Sequence, residues 1–220
     1  MSRDKTQIYF VPGLAAGPEI FKNIELPPQH YHMNILEWLI PEKNESLTSY
    51  AKRMAMLVTA NNAVLIGVSF GGVVAQEMSL FLDLKKLIII SSVKTKNELP
   101  KRLRIAKKTK AYKLVPTSLV MSATDLTKFA IGPKTKKRLT LYQEYLSVRD
   151  KQYLDWAIEH MVCWQREEKV PNVIHIHGDR DVVFPIKNLS NFHCIEGGTH
   201  VMIMYKAKHI SSKLIEIVES

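Results

Sequence analysis

The run Leu65-Ile66-Gly67-Val68-Ser69-Phe70-Gly71-Gly72 carries an apolar strand pattern through Gly-x-Ser-x-Gly and straight into a helical pattern. Few local sequences restrict a fold as much. A strand that turns at once into a helix leaves no room for bulk two residues before or after the turning residue, and Gly67 and Gly71 meet that demand. The serine between them is forced into a strained, exposed backbone conformation, ready to attack a carbonyl carbon. An ordinary strand-to-helix turn could use the same residues without any chemistry, so the rest of the chain must decide.

Short apolar runs alternate with helical patterns along the chain. The spacing predicts six strands, over 7–12, 34–40, 63–69, 86–92, 172–178 and 191–196, and amphipathic helices over 47–59, 71–82 and 202–218. That alternation predicts an α/β fold: a mostly parallel six-stranded sheet flanked by helices, with right-handed crossovers. A chain of 220 residues with 46% hydrophobic content can bury a core as one domain spanning 1–220. No internal repeat, low-complexity tract or proline-rich linker divides it.

A second apolar strand, Val173-Ile174-His175-Ile176-His177-Gly178, ends in Asp179-Arg180-Asp181, and Gly197-Gly198-Thr199-His200 follows. The candidate groups therefore run Ser, Asp, His along the chain. With PGL at 12–14, GVSFGG at 67–72, HGDRDVVFP at 177–185 and GGTH at 197–200, the chain resembles a small α/β-hydrolase over nearly its whole length except the middle. Larger members of that superfamily begin with an antiparallel hairpin for which this chain has no residues, so the expected sheet is a trimmed one. The resemblance implies a serine hydrolase cleaving a carboxylic ester or thioester through an acyl-serine intermediate, with no cofactor.

Each group then has an expected role. Ser69 is a weak nucleophile until a base takes its proton, and His200 is the candidate base. A carboxylate must orient the histidine and stabilise its imidazolium. The family's HGxxDxxxP pattern gives that role to Asp181; Asp179 is the rival, with a hydrogen-bonded turn as its other reading, and Asp155 is a remote third. The backbone N–H of Phe70, directly after the nucleophile, and that of Leu14, in the loop after the first strand, are the expected oxyanion donors. Proline at 12 stands where the family usually has histidine, which the hole tolerates because it uses main-chain donors. Serine at 69 excludes the nucleophilic aspartate that dehalogenase or epoxide hydrolase chemistry needs. Two alternatives stay open: a lyase or perhydrolase activity on the same constellation, and a ligand-sensing or interaction protein that retains the triad.

Residues 94–168 interrupt the alternation with helical patterns and no strand, after the fourth strand, where this fold carries a lid. Within 94–138 lie 14 Lys and Arg against Glu98 and Asp125, so this stretch holds the whole net charge of +10. Such a field can draw in a small-molecule acyl substrate that is anionic; a solvated basic face is the plainer reading. Aromatic residues do not interleave the cations of 101–108, so nucleic acid is not the expected partner. Tyr142, Tyr145, Tyr153, Trp156 and Trp164 either roof a pocket or pack in the core.

Cys163 and Cys194 lack metal-type spacing and read as packed or partly buried thiols. The chain enters a strand within its first ten residues, which predicts neither a signal peptide nor a membrane span and a cytoplasmic protein. His175 and His177 alternate on a strand with no third ligand at metal spacing, so they are expected to be structural and no metal is expected. His30 and His32, beside Pro27-Pro28, read as loop residues. The sequence says nothing of the oligomeric state.

Overall fold

A segment such as Ala63-Val64-Leu65-Ile66-Gly67-Val68, with no polar side chain, is stable as a strand only where both of its faces are covered. A computed structural model of the chain, which describes residues 5–114 and 146–220, has this segment as β3 (Ala63–Val68) with all six residues buried. It pairs in parallel with β1 (Thr6–Val11) and β4 (Leu84–Ile90). Outside β1 lies β2 (Tyr31–Ile35); beyond β4 come β5 (Ile174–Gly178) and β6 (His193–Ile195). The order is β2-β1-β3-β4-β5-β6 and every pairing is parallel. Because β1 has its successor on one side and β3 on the other, the topology switches between β1 and β3, and a crevice opens at their carboxyl ends.

The helices are α1 (Leu47–Ala55), α2 (Phe70–Met78), α3 (Lys101–Thr109), α4 (Lys151–Cys163), α5 (Met202–Tyr205) and α6 (Ala207–Glu219). Strand side chains alternate between faces. Tyr9, Val11 and Leu65 therefore join α1, α2 and α4 in one core, while Ile8, Phe10, Val64 and Ile66 join α5 and α6 in the other. Burying each such large side chain contributes about 1.5–3 kcal/mol. Two helix starts are fixed by capping: Ser46 accepts from the Ser49 N–H at 3.1 Å and Asp150 from the Tyr153 N–H at 2.8 Å.

Several local expectations are corrected. β2 lies at 31–35 and not at 34–40: Tyr31 to Ile35 pair with Thr6 to Phe10, and after Leu36 the chain leaves the sheet. The mostly apolar run at 36–40 that mimics a strand instead leaves the sheet, with Trp38 turned onto the loop after β1 and Glu37 and Ile40 exposed. His32 is accordingly a strand residue, on the outer edge. The helix expected over 202–218 is two, broken at Lys206, and the one expected over 47–59 ends at Ala55. Cys163 is half-buried, but Cys194 is exposed because β6 is the short outer strand.

Between β4 and β5, α3 and α4 behave differently. Tyr153 and Trp156 of α4, and Trp164 just beyond it, are core residues, whereas α3 buries none of its side chains. Tyr142, Tyr145, Pro116 and Pro133 lie outside the described residues. Among the described residues, no helix is long and apolar enough to cross a membrane.

Candidate active site

Three loops at the carboxyl ends of β3, β5 and β6 meet beside the switch point. Ser69 follows β3 and precedes α2, with φ 54° and ψ −118°, a left-handed conformation that a non-glycine residue adopts only under constraint. The constraint is visible around it. The Ser69 N–H donates to the Ile90 carbonyl at 2.9 Å, and its own carbonyl accepts from the Gly72 N–H at 2.9 Å and from Ser92 Oγ at 2.7 Å. A Cβ on Gly71 would run into the carbonyl oxygens of Pro12 and Val11, so only glycine lets α2 come this close to the loop after β1.

The Asp and His loops are bound to each other by backbone. Arg180 N–H donates to the Gly198 carbonyl at 2.8 Å and Asp179 N–H to the Ile195 carbonyl at 3.4 Å. A Cβ at Gly178 would collide with the Gly198 backbone, which explains the glycines on both sides of this junction. The result is a continuous chain of contacts. Ser69 Oγ lies 2.9 Å from His200 Nε2, and His200 Nδ1 lies 2.9 Å from Asp181 Oδ2. The other Asp181 oxygen accepts from the Val183 and Phe184 amides at 2.7 and 3.0 Å.

The electrostatics of Asp181 follow from those partners. Burial works to raise its carboxyl, but the His200 hydrogen bond and charge, the Phe184 amide and His177 outweigh it and hold the group below the usual carboxylate range. It is therefore an anion although its side chain is fully buried. Asp179 is not part of this network: it sits in the hydrogen-bonded turn expected as its other reading, closed by the Asp181 N–H donating to the Gly178 carbonyl at 3.2 Å, and its Oδ1 is buried without a hydrogen-bond partner among the described residues. Asp155 is remote, paired with Lys151 on α4.

The two candidate amides lie on the loops after β1 and β3. Phe70 opens α2, where the first N–H groups have no intrahelical acceptor and carry the positive end of the helix dipole. The Leu14 N–H has no acceptor among the described residues, and the Gly13 beside it comes close enough to Ser69 that an added Cβ would lie 3.6 Å from the serine Cβ. Trp38 holds this loop, its indole N–H donating to the Gly13 carbonyl at 3.2 Å. Its ring packs against Phe70 and Tyr153, so the two amide-bearing loops share one aromatic support.

Sequence reasoning did not single out Trp38, Ser92 or Phe184, and it read His175 and His177 as structural without their contacts to each other and to the acid loop. The Phe184 ring stands edge-on to His200, 5.3 Å between centroids. A signal was present for Ser92, a hydroxyl directly after a parallel strand, but none for Trp38, whose partner is 25 residues away in sequence. Two open cavities, of about 670 and 970 Å³, are lined from α1, α4 and neighbouring loops and contain none of the three groups. Among the described residues, no cluster of His, Cys, Asp and Glu could hold a metal ion.

No protein-family model and no curated protein matches the chain. Solved structures do. MenH from S. aureus superposes with a TM-score of 0.74 at 13% identity, covering 97% of this chain and 93% of that one. An esterase from Exiguobacterium antarcticum gives 0.67 at 15%, covering 98% and 92%. A bromoperoxidase from Bacillus anthracis gives 0.69 at 14%, covering 98% and 92%. At such identities the likeness is one of fold, and the chain has the α/β-hydrolase fold.

Proposed function

We propose that this protein is a serine hydrolase that cleaves a carboxylic ester or thioester, with Ser69, His200 and Asp181 as its catalytic triad. The observation that carries the reading is the unbroken hydrogen-bonded sequence Ser69 Oγ, His200 Nε2, His200 Nδ1 and Asp181 Oδ2, with both links at 2.9 Å. In the reaction His200 takes the Ser69 proton as the oxygen attacks the acyl carbon, and Asp181 stabilises the imidazolium that forms. The Leu14 and Phe70 amides receive the negative charge developing on the carbonyl oxygen, each such donor contributing about 3 kcal/mol to the barrier reduction. His200 then gives its proton to the leaving alcohol or thiol. Water, deprotonated by the same ring, releases the acid and frees Ser69.

We also read residues 94–168 as the substrate-facing insertion of a single domain, 1–220, and its cations as a field that attracts an anionic acyl substrate. The support is local: Lys101, Arg104 and Lys108 are exposed on α3, and Arg102 donates to the Val182 and Val183 carbonyls at 3.1 and 2.8 Å, directly after the acid. Substrate arriving along α3 would reach the triad loops.

A fluorophosphonate probe tests the reading. Labelling of the wild-type chain that disappears in Ser69→Ala and His200→Ala is expected, together with turnover of short-chain aryl esters or acyl thioesters. A wild-type chain inert to the probe and to both substrate classes would overturn it and leave a ligand-sensing role.

A further inference from the structure

The acid loop holds two histidines that the reaction above does not use. His175 and His177 both lie on β5 and point to the same face, fully buried, with His175 Nε2 3.0 Å from His177 Nδ1. On its far side, His177 Nε2 lies 2.9 Å from the Phe184 carbonyl oxygen and 3.3 Å from Asp181 Oδ2. That carboxylate oxygen is the one that faces His200 Nδ1. A continuous line of polar atoms therefore runs from Ser69 through His200 and Asp181 to His177 and ends in His175.

The hydrogens on this line are determined by their neighbours. Phe184 O and Asp181 Oδ2 can only accept, so an unprotonated His177 Nε2 would bring three lone-pair atoms together in a dry interior. His177 must carry its hydrogen on Nε2. Its Nδ1 is then an acceptor and takes the Nε2–H of His175. The remaining atom, His175 Nδ1, is buried and has no hydrogen-bond partner, which a neutral ring nitrogen tolerates far better than a charged one. We infer that His177, locked in this tautomer by His175, is a positioning residue of the triad, bracing both Asp181 and the Phe184 segment against which His200 rests. The inference rests on the triad assignment proposed above.

Burial, more than the surrounding charges, favours this state. Asp181 and His200 face His177, and Lys94 faces His175, with Glu98 paired to Lys94 at 3.8 Å. The Phe192 ring packs against both imidazoles, 6.0 Å from one and 5.9 Å from the other. Burial, the neighbouring imidazole and Lys94 depress His175; burial depresses His177 against the pull of Asp181 and the Phe184 carbonyl. Both rings thus stay neutral where an exposed histidine would charge. Protonating His177 would set two N–H groups against each other at the His175–His177 contact, and protonating His175 would place a charged N–H on the buried Nδ1 that has no acceptor.

His177 acts on the reaction through two connections. Its N–H beside Oδ2 spreads the charge of Asp181, and its hold on the Phe184 carbonyl keeps the Phe184 amide on Oδ1 and the Phe184 ring on His200. Removing the donor leaves the carboxylate charge less neutralised, so it keeps a proton on His200 more firmly, and nucleophile activation begins at higher pH.

Ring nitrogen NMR of the full chain tests the wiring without any reaction: His175 and His177 are expected as Nε2–H tautomers at neutral pH, and a Nδ1–H form of His177 would overturn the inference. The second arm compares His177→Leu with His177→Gln, since a glutamine amide can offer N–H to Phe184 and its oxygen to His175. In His177→Leu the low-field His200 Nδ1–H resonance moves, the labelling rate of Ser69 falls roughly 10- to 100-fold, and its acid limb shifts upward by about half a pH unit or more. His177→Gln restores all three toward wild type. Equal labelling rates, limbs and resonances in wild type and His177→Leu would reduce the pair to packing. A wild-type chain that the probe does not label would instead refute the hydrolase reading, while the tautomers and the His200 resonance still decide the wiring.

Discussion

α2 and α3 are helices of equal length, nine residues each, at opposite extremes of burial: every residue of α2 is buried and none of α3 is. The first begins at the proposed nucleophile, directly after a strand without polar side chains, packs wholly within one of the two cores, and cannot shift without moving β1, β3 and β4. The second lies on the surface of the stretch between β4 and β5 and carries six of its nine residues as Lys, Arg or Thr. The contrast is a division of labour: the proposed reacting atoms stand where packing permits one geometry, and charge stands where solvent permits many. Substitutions on the α2 side should change rate or stability steeply; those on α3 should change them slightly and in a salt-dependent way.

The sharpest test is Ser69→Ala, for which ester turnover should fall by on the order of 10⁵-fold with the melting temperature nearly kept, because the buried frame does not depend on the hydroxyl. Next, Asp181→Asn should lower kcat by about 10⁴-fold, because the amide would stabilise the wrong imidazole tautomer. Asp179→Asn should cost less than about tenfold, since Asp179 takes no part in the hydrogen bonds of His200. The reverse ranking would exchange the two residues. Gly71→Ala breaks the α2 side structurally: its new methyl group would meet the Pro12 and Val11 carbonyls, costing about 3 kcal/mol or more on thermal or denaturant unfolding.

A pH effect of intermediate size comes from β5. His175 and His177 have folded-state affinities for protons below those of the unfolded chain, so their stabilising contribution is complete above about pH 6.5 and is lost as pH falls from there toward their depressed values. Asp181 is depressed as well, and its contribution disappears only in the lower range, below about pH 4. Calorimetry should show the wild-type melting temperature declining between pH 6.5 and 5, with a shallower decline in His175→Leu. An unchanged slope would mean that His175 binds protons equally in the folded and unfolded chain, against its neutral state in the fold. The smallest effect belongs to α3. Reversing Lys101, Arg104 and Lys108 to Glu should move the melting temperature by less than about 3 °C, yet lower kcat/KM for an anionic ester several-fold at low salt and hardly at high salt. A loss independent of salt would remove charge attraction from the account.

Strand type and serine geometry were legible because they are local. An all-apolar strand running into Gly-x-Ser-x-Gly has few ways to fold, and β3, the left-handed Ser69 and the start of α2 follow the pattern within a residue. The helix expected to 82 ends at Met78 and passes into a 3-10 turn at Ser79–Phe81. β2 was misread because alternation over 31–35 runs directly into a mostly apolar stretch over 36–40, and only pairing with β1 chooses between them. The same holds for the helix expected over 202–218, whose hydrophobic period continues across the break at Lys206.

The sequence by itself determined which chemical groups are available and in what order: serine, then aspartate, then histidine, each after a strand and two or three residues from a glycine. Those properties depend on neighbours a few residues away. Only the tertiary structure decided which carboxylate meets His200, that Trp38 supports the Gly13 loop, and that His177 shares an oxygen of Asp181 with His200. Each of these links residues brought together by a parallel sheet whose crossovers separate contacting atoms by many positions in the chain. Hydrogen bonds act over about 3 Å of space and know nothing of sequence distance, so their partners became fixed only when the strands took their places.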